Sequence, residues 1–330
     1  MTMTRITLAG VLFALALALP ALAQSPGAPA KEPERIAIGV YVTQIYDLDT
    51  SGNSFTASFW VWARHRDHSV HPLDTLHVLG AKKVESEPTL TLERNGQVWE
   101  QKFFRAVINH AWELREYPFD EHDLAISFEE GLYDASTIVY VADEGQSGVE
   151  PGAMGSRWAI GDFRFNTDLR MAATTYGDPA LSKRRSYWAR ATAVVYGERQ
   201  QTGIFFKLLI GAYVAVLLAL LSYRIKTDQP TLFSARLGLL VGSLFATVVN
   251  LRSTESVLGR TDDFTLVDKI HISIALYIFV ASLSALISRH LCEREKVAQS
   301  RTVDNITLLV TAALFLAINI IMISDAVISK

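Results

Sequence analysis

The sequence predicts an α+β membrane protein: an N-terminal immunoglobulin-like antiparallel β-sandwich followed by a four-helix transmembrane bundle. Three observations predict it. Residues 35–200 alternate apolar and polar positions in short runs separated by turn residues, as half-buried strands do. Four apolar runs follow, at about 203–223, 234–251, 266–287 and 305–323, each close to the length that crosses a bilayer. Half of the 330 residues are hydrophobic and the mean hydropathy is +0.21, high for a chain that stays in water.

The N-terminus reads as a signal peptide over residues 1–23. Arg5 supplies the positive start, Ile6 opens an apolar run that stops at Pro20, and Ala21-Leu22-Ala23 is a small-x-small cleavage site. Residues 24–34 read as a linker opening on a Pro/Ala-rich stretch. Export places the following domain in an oxidising compartment, yet the only cysteine is Cys292, so no disulfide forms within one chain. The net charge of −3 gives no electrostatic ground for binding nucleic acid.

Strands are expected at 36–42, 54–64, 89–93, 98–104, 124–128, 137–141, 157–165 and 187–196, with turns at 49–53, Arg94-Asn95-Gly96, Tyr117-Pro118 and Gly177-Asp178-Pro179. Eight short strands without a helix fit a sandwich. The domain holds no nucleophile motif, phosphate loop or HExxH, so no enzyme activity is expected and no cofactor or metal is assigned. The histidines from His65 to His77 lack strict zinc spacing, and Glu129, Glu130, Asp134, Asp143 and Glu144 read as a solvated acidic loop rather than a calcium site.

In the membrane half, the link at 223–236 carries Arg224, Lys226 and Arg236, and the link at 288–304 carries Arg289, Arg294, Lys296 and Arg301. The positive-inside rule puts both in the cytoplasm and the sandwich outside, which agrees with the signal peptide. A bacterial inner-membrane protein with its N-terminal domain in the periplasm is expected. The second span is unusual. Gly238, Gly242, Phe245, Val249, Arg252 and Ser256 step by four, three, four, three and four, so they share one helix face that runs from small, through bulky and apolar, to charged. Taken alone, that face fits either a GxxxG packing seam or the wall of a pore built from several copies.

Glu116-Tyr117-Pro118-Phe119-Asp120-Glu121-His122 resembles the aromatic-Pro-Phe-Asp loop of the pentameric ligand-gated ion channels, or Cys-loop receptors. His110 and Leu124 stand where animal members carry the loop's two cysteines, so the disulfide is absent, as in prokaryotic members. Ile45-Tyr46-Asp47-Leu48-Asp49 is similar to the first strand and its membrane-facing loop. Arg199 matches the basic residue that ends the last strand, and Phe264-Thr265-Leu266-Val267-Asp268-Lys269 resembles the start of the third helix. The resemblance spans the chain after residue 23 nearly end to end. The chain departs from the pattern where the first helix lacks the usual proline, with Gly211 near that place. It departs again where the agonist loops lack their tryptophan-proline motif, and where His65-Arg66-Asp67 stands for Trp-x-Asp.

The resemblance implies a homopentamer in a lipid bilayer that passes inorganic ions when a small molecule, a proton or a divalent ion binds between sandwiches. Pore-lining positions would be Gly238, Gly242, Phe245, Val249, Arg252 and Ser256, with Phe245 and Val249 as an apolar gate that closes by dewetting. Asp47, Asp49, Pro118, Phe119, Asp120 and Arg199 would couple the sandwich to the helices, Arg199 pairing with Asp120 or Asp47. Trp60, Trp62, Trp99, Tyr176, Tyr187 and Trp188 would build the ligand site, suited to an amine through cation–π contact, while Arg184 and Arg185 would favour an acid. Trp60 and Trp62 share one face and Phe59 and Val61 the other, and the pattern leaves open which is core. Ala235-Arg236 at the inner mouth and a ring of Arg252 lean toward anion selectivity, with Glu255 opposing. The rival reading is a membrane-anchored sensory or binding protein without a pore.

Overall fold

The computed structural model describes residues 32–177, 179, 185–200, 202–258 and 264–328; the expected signal peptide, linker residues 24–31 and Arg184 lie outside them. Among the described residues, eleven strands come first: β1 Glu34–Asp49, β2 Ser54–His65, β3 Leu76–Val78, β4 Ala81–Ser86, β5 Leu90–Arg94, β6 Gln97–Asn109, β7 Glu121–Glu130, β8 Ile138–Ala142, β9 Gly148–Val149, β10 Trp158–Ala172 and β11 Ser186–Arg199. Four helices follow: α1 Thr202–Ser222, α2 Pro230–Leu258, α3 Leu266–Glu293 and α4 Val297–Ile328.

The strands form two sheets. The larger runs β4-β6-β2-β1-β8, with β5 also on β6 and β9 also on β1; the smaller runs β10-β11-β7-β3. Pairing is mostly antiparallel, as expected, but β8 and β9 both lie parallel to β1. Those two short strands return to the edge of β1 from a distant part of the chain, a pairing that strand periodicity does not encode.

Period-two alternation fixes the core between the sheets. Ile36, Ile38, Val40 and Val42 of β1, Phe55, Phe59 and Val61 of β2, Leu124, Ile126 and Phe128 of β7, and Ala191, Ala193 and Val195 of β11 are all fully buried. Burying each of the larger ones contributes about 1.5–3 kcal/mol. Phe59 and Val61 are therefore the inward pair, and Trp60 and Trp62 stand on the outer face. A bulge between Val42 and Gln44 shifts the phase of β1 by one residue, which returns Ile45 to the core. Gly39 lets Trp62 lie across β1, because a Cβ there would come within 2.2 Å of the indole.

The four helices are long and apolar enough to cross a membrane. Several outrun the apolar runs in the sequence. α2 begins at Pro230, whose fixed φ suits the first helical position, and continues through the polar turn beyond Leu251. α4 has 32 residues, about 48 Å of helix against a hydrocarbon core of about 30 Å. Its outward side is apolar (Leu309, Leu314, Leu316, Ile321), whereas Ser300, Asp304 and Asn319 face inward, the polarity a helix needs among lipids. α3 starts on a capping box in which Thr265 and Asp268 satisfy each other's backbone N–H.

Candidate functional site

α2 divides into two unlike faces. Arg236, Leu240, Ser243, Thr247 and Thr254 are buried against the other helices, and Ser243, Thr247 and Thr254 return their hydroxyls to carbonyls four residues back. Gly238, Gly242, Phe245, Val249 and Arg252 point away from the bundle. A Cβ built on Gly238 or Gly242 meets nothing within 4 Å, so the glycines do not seat a sibling helix of the same chain. Phe245 is 70% exposed and Val249 50%. Ser256 continues the helix, but its side chain lies outside the described residues.

The two cations expected at the ends of this face are both neutralised. Arg236 is fully buried and makes a bidentate pair with Asp304 of α4, both bonds 2.9 Å. Its guanidinium also lies 5.0 Å from the centre of the Tyr223 ring. Ser288 donates to the same carboxylate at 2.9 Å. Arg236 is therefore neither a free mouth cation nor a free cation of the first link. Arg252 pairs with Glu255 at 2.9 Å, while its side chain stays 77% exposed. Asp304 escapes a reading by hydropathy windows, although a lone carboxylate at the start of an apolar run is itself a signal of a buried partner.

The sandwich meets the helices at the loop 116–122. Arg199, ending β11, donates to Asp120 from Nε at 2.8 Å and from a terminal nitrogen at 2.9 Å. Its side chain is 11% exposed and that of Asp120 only 1%. His122 shares a third hydrogen bond with Asp120 at 2.8 Å. The Arg199 guanidinium lies over Trp158 at 4.3 Å and over Tyr117 at 4.9 Å. Burial pushes the Asp120 carboxyl up, but the bonds from His122 and Arg199 outweigh it and hold it below the usual carboxylate range. Trp112 and His110 close the cluster: Trp112 packs edge-on to both His110 and His122. Burial, aided by the nearby charge of His122, lowers His110 to about 4.

The peptide bond before Pro118 is cis, and Phe119 is set against Phe205 of α1 with ring centroids 5.4 Å apart. Glu116 lies 3.8 Å from Lys269 in the first turn of α3. The loop thus touches two helices. Asp49 does not join this cluster: its carboxylate accepts from Ser51 and the Gly52 N–H in its own turn, which hold it below the usual range. Asp47, at φ 50°, lines a cavity of about 930 Å³ together with Tyr117, Arg157 and Arg199. Most of the loop between α2 and α3 lies outside the described residues. Trp158 and Trp112 are members of the cluster that motif reading missed; no local spacing marks them, whereas Tyr117 belongs to the loop motif itself.

The six expected ligand-site aromatics fall into two groups on different sheets. Trp60 packs against Phe103 at 5.0 Å on the outer face of the larger sheet. Trp62 donates to Asp143 at 3.1 Å, and Arg94 lies 5.8 Å from the Trp99 ring. On the smaller sheet, Tyr176 and Trp188 meet edge-on at 5.9 Å, Arg170 donates to the Tyr176 hydroxyl, and Tyr187 is exposed beside them. Within one chain the two groups do not form a box.

Among the described residues, no three His, Cys, Asp or Glu side chains gather as a metal site. Glu129 is taken by Arg170, Asp143 by Arg64 and Trp62, and Glu130 by Thr75, Tyr140 and the backbone of residues 131–133. No protein-family model matches this chain, and no curated protein matches it.

Proposed function

We propose that the protein is a homopentameric ligand-gated ion channel of the Cys-loop receptor type, whose axial pore is lined by α2. The carrying observation is the division of α2. Its hydroxyl-bearing face is consumed inside the chain, whereas Gly238, Gly242, Phe245, Val249 and Arg252 are exposed and turned away from the chain's other helices. A monomer in lipid would hold the exposed Arg252 and Glu255 turned from its own bundle. A ring of copies gives that face water, narrows at Phe245 and Val249, and gates by dewetting there.

The junction around Asp120 and Arg199 supports the coupling half of the reading. A rigid ion pair at the base of the sandwich sits one loop away from contacts with α1 and α3. The two aromatic groups support a ligand site shared by neighbouring chains, one sheet from each. The electrostatic ground for anion selectivity weakens, because Asp304 and Glu255 neutralise Arg236 and Arg252, and no ion sign is assigned.

The test is a planar-bilayer recording of Phe245→Ala beside the unaltered chain, with proton, calcium and amine screens. A detergent-stripped mass near five chains and unitary currents that Phe245→Ala opens without agonist are expected. A monomeric or dimeric mass without conductance would leave the membrane-anchored binding protein in its place.

A further inference from the structure

A second cavity, of about 190 Å³, lies at the end of the bundle remote from the sandwich, between the α1–α2 link and the start of α4. Arg224, Lys226 and Arg301 line it. All three are exposed, and among the described residues none has an ion-pair partner. Three unpaired cations around one hollow repel each other and favour an anion between them. Two carboxylates share the lining, Asp228 and Asp304. Asp304 is already neutralised by the bidentate Arg236, so the balance stays positive.

The floor is polar. Thr227, Ser300 and Cys292 line it, and Thr227 and Ser300 both bond to Ser288, which donates to Asp304. Exposed apolar side chains follow the lining along the helices: Leu221, three residues before Arg224, is 59% exposed, and Ile306 and Leu309, just beyond Asn305 on α4, are 57% and 70% exposed. A cationic hollow at the end of membrane-spanning helices, with bare apolar side chains leading away from it, has the polarity of a lipid: charged head, apolar tails.

We propose that this hollow binds the phosphodiester headgroup of an anionic phospholipid, held by Arg224, Lys226 and Arg301, with its acyl chains along Leu221, Ile306 and Leu309. The proposal needs the four helices in a bilayer and does not depend on α2 lining a pore. Headgroup binding would brace the turn that carries Asp304, and through Asp304 the buried Arg236 at the base of α2.

The full chain, freed of lipid in detergent, is titrated with dioleoyl-phosphatidylglycerol, with dioleoyl-phosphatidylcholine and with inorganic phosphate, and bound lipid is counted by native mass spectrometry. One tightly held phosphatidylglycerol per chain is expected, with phosphatidylcholine and phosphate not retained. Lys226→Gln with Arg301→Gln should weaken retention about thirtyfold, from the worth of two cations near a lipid surface. Arg294→Gln with Lys296→Gln removes the same charge from the α3–α4 turn, at residues that do not line the hollow, and should leave the tight site in place. Equal loss in both pairs would reduce the effect to diffuse attraction and overturn the site. Phosphate retained as tightly as the lipid would overturn the lipid assignment, and retention unchanged by Lys226→Gln with Arg301→Gln would overturn both.

Discussion

Replacing Asp120 by Asn tests whether the sandwich–helix junction rests on one buried ion pair. The carboxylate takes two bonds from Arg199 and one from His122, all between 2.8 and 2.9 Å, and its side chain is 1% exposed. An Asn of the same shape can accept through one atom only, and its amide turns a donor toward Arg199 or His122. Arg199 is then left as a buried cation without a counter-charge, keeping at most one of its two bonds beside the Trp158 and Tyr117 rings, contacts worth about 0.5–2 kcal/mol. Breaking a buried pair from one side costs about 3–5 kcal/mol, so Asp120→Asn should lower stability by about that much. Arg199→Gln also forfeits the two ring contacts and should cost at least as much. The double variant should lose about 2–3 kcal/mol less than the sum of the singles, because the second change removes the group the first left stranded. Unfolding of the full chain in detergent reads this out, followed by fluorescence of Trp112 and Trp158, which border the cluster. Losses that add within about 0.5 kcal/mol would refute a direct pair.

His110 sets an acid limit on the same junction. Its folded value of about 4 lies below the ordinary 6.5, so the unfolded chain takes up the proton first as pH falls. Stability should drop from about pH 6.5 toward pH 4 by up to about 3 kcal/mol, and His110→Phe, which fits beside Phe55, should flatten that limb; identical pH profiles would contradict it. Asp120 acts at still lower pH: its stabilisation is present above the ordinary carboxylate range and is lost as pH falls through its depressed folded value. Glu255→Gln should unmask Arg252 and move the reversal potential toward that of chloride in a salt gradient, and a shift toward the cation potential would reject the pairing as the neutralising device. Asp304→Leu should lower the yield of assembled protein more than Asp304→Leu combined with Arg236→Met, since only the single change strands a buried cation.

Much of the architecture is legible in the order of residues. Two-residue alternation marks all eight strands expected from the sequence, and apolar length marks all four spans. β3, β4 and β9 escape that reading because they are short, and most of β4 is exposed, so no buried face imprints a pattern. The face of α2 is legible too, because a helix fixes which residues look the same way whatever surrounds it.

What surrounds it is not written locally. Trp60 and Trp62 alternate with Phe59 and Val61, so both faces of β2 are apolar, and only the position of the second sheet makes Phe59 and Val61 the core. Arg236 and Asp304 are 68 residues apart, and Asp120 and Arg199 are 79 apart. Each charge taken alone reads as a solvated surface group. Their pairing comes from packing α2 and α4 on α3 and β11 on β7, which excludes water and brings each charge to its opposite. The chain by itself therefore determined the elements and their faces; the tertiary structure decided which charges are free, because only packing sets how far each one lies from water and from its opposite.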